Sequence, residues 1–343
     1  MSLVFDKHRR IASPALAPGQ LREADETGNR RNADAVLTIG LINNMPDSAL
    51  QATERQFIEL LKAAAGNRAV NLHCFSLPSV KRSQAVQSRI ERLYTSVADL
   101  DKLQIDGLIV TGAEPRAACL AQEPFWSELT DIVDWAQANT RSTIWSCLAA
   151  HAAVLHLDGI ERRRLNTKCS GVYQCSKMVD DWLTENIPLP LKVSHSRLNE
   201  VSARDLIARG YQVLTESPDA GVDIFAKQLR SRFIFFQGHP EYDALSLQRE
   251  YLRDISRFLA GGQDNYPAMP AGYFDGETER KLADFQTRAS VERKAALSAE
   301  LAGIALRPDI ATGAAATAIF RNWLGYLCGG SGSMAPPATS SAA

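Results

Sequence analysis

Short apolar runs rich in β-branched and aromatic residues recur at 36–42, 70–77, 107–110, 142–145 and 233–236, and helical periodicity fills 50–65, 124–138, 148–157 and 244–259. This alternation constrains the fold more than any other feature of the chain. A strand followed by a crossover helix returns to its sheet in parallel, so the expected class is α/β: a mostly parallel sheet flanked by helices. The runs at 107–110, 142–145 and 233–236 are continuously apolar, as strands covered on both faces must be.

The two ends depart from this pattern. Residues 1–35 are rich in Pro, Gly, Asn, Arg and Asp without apolar periodicity and read as an N-terminal arm. The α/β domain is expected over 36–262. Charged and alanine-rich helical stretches at 277–298 and 312–327 make 263–328 an added helical C-terminal section that caps the sheet or meets a second subunit. Residues 329–343 are dominated by Gly, Ser, Pro and Ala and are expected to form a disordered tail.

Charge narrows the partner. Lys and Arg number 38 against 39 Asp and Glu, so no electrostatic footprint for nucleic acid or an anionic membrane is present, and a small molecule is the expected ligand. The cysteines (Cys74, Cys119, Cys147, Cys169, Cys175, Cys328) form no Cys-x-x-Cys pair, which points to reduced thiols in a cytoplasmic protein and to no metal site. The first residues lack a signal-peptide core, and no apolar run reaches membrane-spanning length.

The segment Arg141-Ser-Thr-Ile-Trp-Ser-Cys147-Leu-Ala-Ala-His is a strand that runs into a thiol and then directly into a helix. Cys147 therefore sits where the first helical amides have no intrahelical partner and the helix dipole is positive, a setting that stabilises a thiolate. The Leu148 amide can receive an oxyanion there. Taken by itself, the segment fits a small buried hydrophobe better, as most free cysteines are.

A second segment changes that balance. Phe233-Ile-Phe-Phe-Gln-Gly-His239-Pro-Glu241 is a strand broken by a turn that delivers an imidazole and a carboxylate. In sheets of this kind ligands bind outside the carboxyl ends of the strands, which places Cys147 and His239 on one edge. Glu241, two residues on, can fold back and orient the ring, as the third member of a nucleophilic triad does. A turn histidine and a helix-start acid are the plain alternatives, and they are weaker for the three residues together.

These residues, with Ile39-Gly-Leu-Ile-Asn-Asn-Met-Pro46, Thr53-Glu-Arg-Gln-Phe57, Gly107-Leu-Ile-Val-Thr-Gly-Ala113, Lys168-Cys-Ser-Gly-Val-Tyr173, His195-Ser-Arg197 and Gly238-His-Pro-Glu-Tyr-Asp243, resemble the homoserine O-succinyltransferase and O-acetyltransferase family. The resemblance implies a class I glutamine amidotransferase-like, flavodoxin-like fold. It implies an enzyme of methionine biosynthesis in which Cys147 carries an acyl group from acyl-CoA (succinyl-CoA or acetyl-CoA) and His239, braced by Glu241, deprotonates the hydroxyl of L-homoserine. No bound cofactor is implied. Lys168, Ser196 and Arg253 fall where the family contacts the amino acid, Met45 joins Leu148 as a backbone oxyanion donor, and a homodimer is expected.

The chain departs from the family at Arg116, the acyl-selecting position, where a glycine goes with succinyl and a glutamate with acetyl groups. An arginine there suits the distal carboxylate of a succinyl donor, which favours O-succinyl over O-acetyl transfer. A rim residue is the plain alternative. Other readings are a glutamine amidotransferase-type hydrolase, transfer to another hydroxy amino acid, and a non-catalytic binding protein of the same fold. Trp145 and Ala149, where amidotransferases carry glycines on either side of the nucleophile, argue against a tight elbow and so against the hydrolase.

Overall fold

A computed structural model describes residues 9–12, 36–294, 297–304, 306, 308 and 313–329. The strands are β1 (Arg9–Ala12), β2 (Leu37–Ile42), β3 (Val70–Phe75), β4 (Gly107–Val110), β5 (Ser142–Ser146), β6 (Arg163–Lys177), β7 (Leu191–Glu200), β8 (Gln212–Ser217), β9 (Gly221–Gln228) and β10 (Arg232–Phe236). The helices are α1 (Asp47–Ala65), α2 (Gln84–Leu93), α3 (Trp126–Asn139), α4 (Leu148–Asp158), α5 (Ala203–Ala208), α6 (Ser246–Leu259), α7 (Gly276–Glu292), α8 (Leu297–Gly303) and α9 (Ala314–Leu327).

The strands form one sheet in the order β1-β3-β2-β4-β5-β10-β9-β8-β6-β7. Its centre, β3-β2-β4-β5-β10, is parallel throughout, as the apolar runs predict. Beyond β10 the strands β9, β8, β6 and β7 pair antiparallel, and Arg9–Ala12 adds an antiparallel edge to β3. Part of the expected arm therefore extends the sheet; residues 13–35 and the expected tail at 330–343 lie outside the described residues.

Side-chain alternation splits the core into two layers, because successive residues of a strand face opposite sides. Ile109, Ile144, Ile234 and Phe236 face α1 and α9, whereas Leu108, Val110, Trp145, Phe233 and Phe235 face α3 and α4. The helical C-terminal section does not stay together. Its α7 and α8 pack with α6 through Leu282, Phe285, Ala289 and Leu301, but α9 inserts Ile319, Phe320, Trp323 and Leu324 beneath the parallel strands beside α1. Among the described residues no helix is long and apolar enough to cross a membrane.

Candidate active site

The site lies at the carboxyl ends of β5 and β10. These strands run in parallel register, Ser146 opposite Phe236, and the Cys147 amide donates to the Phe236 carbonyl at 2.8 Å, so both chains leave the sheet at one level. Cys147 then takes φ 53°, the left-handed region, and immediately opens α4. For a residue with a Cβ this conformation costs about 1–3 kcal/mol, and it aims the thiol away from the strand with the first α4 amides behind it.

The elbow is thus tight despite Trp145 and Ala149, which corrects the expectation drawn from those positions. Room comes from the neighbouring strand: a Cβ on Gly112 would lie 2.9 Å from Leu148 Cβ and 3.1 Å from Leu148 N. Only glycine lets the end of β4 approach the nucleophile turn this closely. The Leu148 amide is the first in α4 and has no intrahelical carbonyl to bond.

His239 Nδ1 donates to Glu241 Oε1 at 2.9 Å, which leaves Nε2 for the Cys147 sulfur, whose charge acts on the ring. Both ring and carboxylate are buried. Burial opposes protonation of His239, but the charges of Glu241 and Cys147 outweigh it and hold the imidazole well above its usual range. The ring also stacks on Tyr242, with centroids 4.2 Å apart and planes at 17°. All three predicted triad residues therefore meet.

The predicted substrate residues meet as well, around two carboxylates on α6 that the sequence reading missed. Lys168 Nζ lies 2.8 Å from Asp254 Oδ2 and 3.6 Å from Glu250 Oε2. The Ser196 hydroxyl donates to Glu250 Oε2, Tyr242 donates to Glu250 Oε1 at 2.7 Å, and Arg253 donates to Asp254 Oδ1 at 3.0 and 3.1 Å. Glu250 and Asp254 are four apart and so share a helix face, a spacing visible in the sequence. Tyr242 ties this polar cluster to the imidazole, since it touches both Glu250 and His239. The Arg253 side chain stays 41% exposed and can still meet a ligand.

Met45 and Arg116 are placed less directly. The Met45 amide donates to Asn43 Oδ1 at 3.2 Å, and the Asn44 amide donates to Thr111 Oγ1 at 2.9 Å, so the loop after β2 is tied to the end of β4. Arg82, another residue missed in the sequence, is buried beneath that loop and donates to the carbonyls of Asn43 and Met45. Arg116 is exposed at the rim of a crevice bounded by Asn44, Pro46, Lys81, Ala113 and Phe125. Its backbone amide and that of Ala117 both donate to buried Glu123 Oε1 at 2.7 Å, which fixes the loop that carries it. Among the described residues no group of three or more His, Cys, Asp or Glu is arranged to hold a metal ion.

This architecture has close relatives. A family model described as homoserine O-succinyltransferase matches residues 12–332. A protein of that name from Bradyrhizobium japonicum is 58% identical over 332 residues, covering 96% of this chain and 100% of that protein. One from Rhodopseudomonas palustris is 58% identical over 326 residues, covering 94% of this chain and 98% of that protein. Among solved structures, a glutamine amidotransferase from Thermotoga maritima overlays with a TM-score of 0.48 and 12% identity over 85% of this chain and 98% of that one. The match along nearly the whole length places this chain in the homoserine O-succinyltransferase family.

Proposed function

We propose that this chain moves a succinyl group from succinyl-CoA to the hydroxyl of L-homoserine through a thioester on Cys147. The observation that carries the reading is a thiol at a left-handed strand-to-helix turn, within electrostatic reach of an imidazole that a buried carboxylate braces. In the first half-reaction the Cys147 thiolate adds to the donor carbonyl, the bond to the coenzyme sulfur breaks, and the departing thiolate takes the proton from the His239 imidazolium. In the second, homoserine gives its hydroxyl proton to His239 as its oxygen attacks the acyl-cysteine. Cys147 then leaves as thiolate and the imidazolium is restored. The oxyanion of each tetrahedral intermediate falls to the Leu148 amide, with Met45 as the second donor once its bond to Asn43 is exchanged.

Lys168, Ser196 and Arg253 hold the amino acid, Arg253 through a two-pronged contact with its carboxylate. Glu250 and Asp254 supply negative charge for its ammonium group. Arg116 at the crevice rim pairs with the distal carboxylate of the succinyl group, the feature that separates this donor from acetyl-CoA.

Intact-mass analysis tests the reading. Mixing with succinyl-CoA should add one succinyl group, absent from Cys147→Ala, and homoserine should discharge it. Labelling that persists in Cys147→Ala would overturn the nucleophile assignment, and ammonia release from glutamine without any adduct would point to the hydrolase instead.

A further inference from the structure

Behind His239 lies a buried polar cluster that the reaction as written leaves unused. Alternation along β7 sends Ser196 toward Glu250 on one face and sends His195 and Arg197 into the interior on the other. His195 and Asp223 are both 0% exposed, and His195 Nε2 stands 3.5 Å from Asp223 Oδ1. Neither atom makes a hydrogen bond among the described residues.

The tautomer follows from the neighbours. Arg197 Nε can only donate, and it points at His195 Nδ1 from 3.4 Å, so Nδ1 accepts. Burial, with the Arg197 charge, holds His195 well below the usual imidazole range, so the ring is neutral and its single proton sits on Nε2, aimed at Asp223. The other carboxylate oxygen of Asp223 accepts from Thr215 Oγ1 at 2.9 Å.

This cluster is packed against the turn that carries the catalytic base. The Gln237 amide donates to the Asp223 carbonyl and the His239 amide to the Ser194 carbonyl, both at 2.8 Å. A Cβ on Gly238 would lie 2.5 Å from Asp223 Oδ1 and 3.1 Å from His195 Cε1, so the backbone between these two amides rests directly on the pair. A carboxylate enclosed this fully is costly unless nearby positive charge compensates it. The cations within its electrostatic reach are Arg197 and, once protonated, His239.

We propose that Asp223, held by His195 and Arg197, is a positioning residue for His239: it seats the Gly238–His239 turn and, when ionised, presents a negative charge that favours the imidazolium formed when the hydroxyl proton is taken. The inference rests on the assignment of His239 as the base. Other groups face that ring too: Glu241 and Tyr242 from its own turn, Cys147 from the start of α4, Glu250 from α6 and His195 from β7. Cys175 is coupled to Asp223 from β6. Asp223 is the buried carboxylate among them that has no place in the triad or the substrate cluster.

The test compares full-length wild type with Asp223→Asn, which keeps shape and can keep the Thr215 bond, removes the charge, and turns the oxygen facing His195 into a donor. With ¹⁵N-labelled histidine, the His239 titration midpoint should fall by about one pH unit. The turnover number for acyl transfer should fall about tenfold or more, while KM for homoserine stays within about twofold because the Ser196 cluster is untouched. An unchanged midpoint overturns the proposal, whether turnover is kept or lost, since loss alone would mean packing. Should Asp223→Asn not fold, wild type decides: a neutral Nε2–H His195 across about pH 5.5–8 supports the chain of contacts, and an Nδ1–H or charged ring sinks it. Midpoint and tautomer are read without substrate, so they stand or fall separately from the identity of donor and acceptor.

Discussion

At the residue scale, the proposed choice of donor rests on Arg116. Its side chain stands at the crevice rim with no carboxylate within ion-pairing distance among the described residues, while Glu114 beside it leans toward Arg257 at 3.7 Å. A guanidinium left unpaired at the rim of this crevice is suited to a ligand that carries its own carboxylate. Solvent access discounts the contact, so a gain at the low end of charge-assisted hydrogen bonds is expected, about 1.5 kcal/mol or about tenfold in kcat/KM. Arg116→Glu should therefore lower kcat/KM for succinyl-CoA by at least that factor and leave acetyl-CoA within a few-fold. Equal changes for both donors would assign Arg116 to the part of coenzyme A they share, and no change would remove it from recognition. The proposed thioester on Cys147 is independent of this outcome.

At the scale of elements, the placement of α9 carries a prediction. Trp323 is fully buried, donates through Nε1 to Ser142 Oγ at 3.1 Å, and fills the space over Gly107, where a Cβ would come within 2.7 Å of its ring. Trp323→Ala should cost about 3–5 kcal/mol in denaturant unfolding; a loss below about 1 kcal/mol would mean that α9 is a detachable cap. The same helix illustrates what sequence pattern can carry. Strands such as β4, β5 and β10 were legible because burial on both faces makes them continuously apolar. β6 was not, because eight-residue stretches such as Arg163–Ser170 keep most side chains partly or fully exposed, and α2 buries none of its residues. The triad was legible because strand ends in a parallel sheet share an edge. Glu250, Asp254 and Arg82 were not, because their role comes from contacts 35 or more residues away along the chain: Lys168 for Asp254, Ser196 for Glu250, and the Asn43–Met45 loop for Arg82. Polar residues of this kind resemble a solvated surface until tertiary structure encloses them.

At the scale of the whole molecule, buried charge sets how stability follows pH, and two groups of residues act in opposite directions. Burial pushes Glu250 and Asp254 upward, but Lys168 and the surrounding hydrogen bonds outweigh it and hold both below their ordinary values of 4.5 and 3.8. Such carboxylates contribute stability above those values and lose it as pH falls through their lower folded ones. Asp223 runs the other way, since burial lifts it from 3.8 to about 6 against the pull of Thr215 and Arg197. Between those two values the folded chain keeps a proton that the unfolded chain has released, so stability declines as pH rises, by about 3 kcal/mol for a shift of about two units. His239 extends the decline. Its folded value is raised, so its contribution is complete below its unfolded value of 6.5 and disappears as pH climbs through the folded one. His195 and His151 oppose Asp223, because burial holds both rings below 6.5, and between their folded values and 6.5 the unfolded chain binds the extra protons, so stability rises with pH. Thermal unfolding of wild type should therefore give a Tm that rises from about pH 5 to about pH 6.5 and falls above it as His239 loses its proton. Asp223→Asn removes the opposing slope, so its Tm should rise more steeply than wild type below about pH 6 and keep a later fall that His239 supplies. A variant curve parallel to wild type below about pH 6 would show that Asp223 does not keep a proton in the folded protein where the unfolded chain has released it.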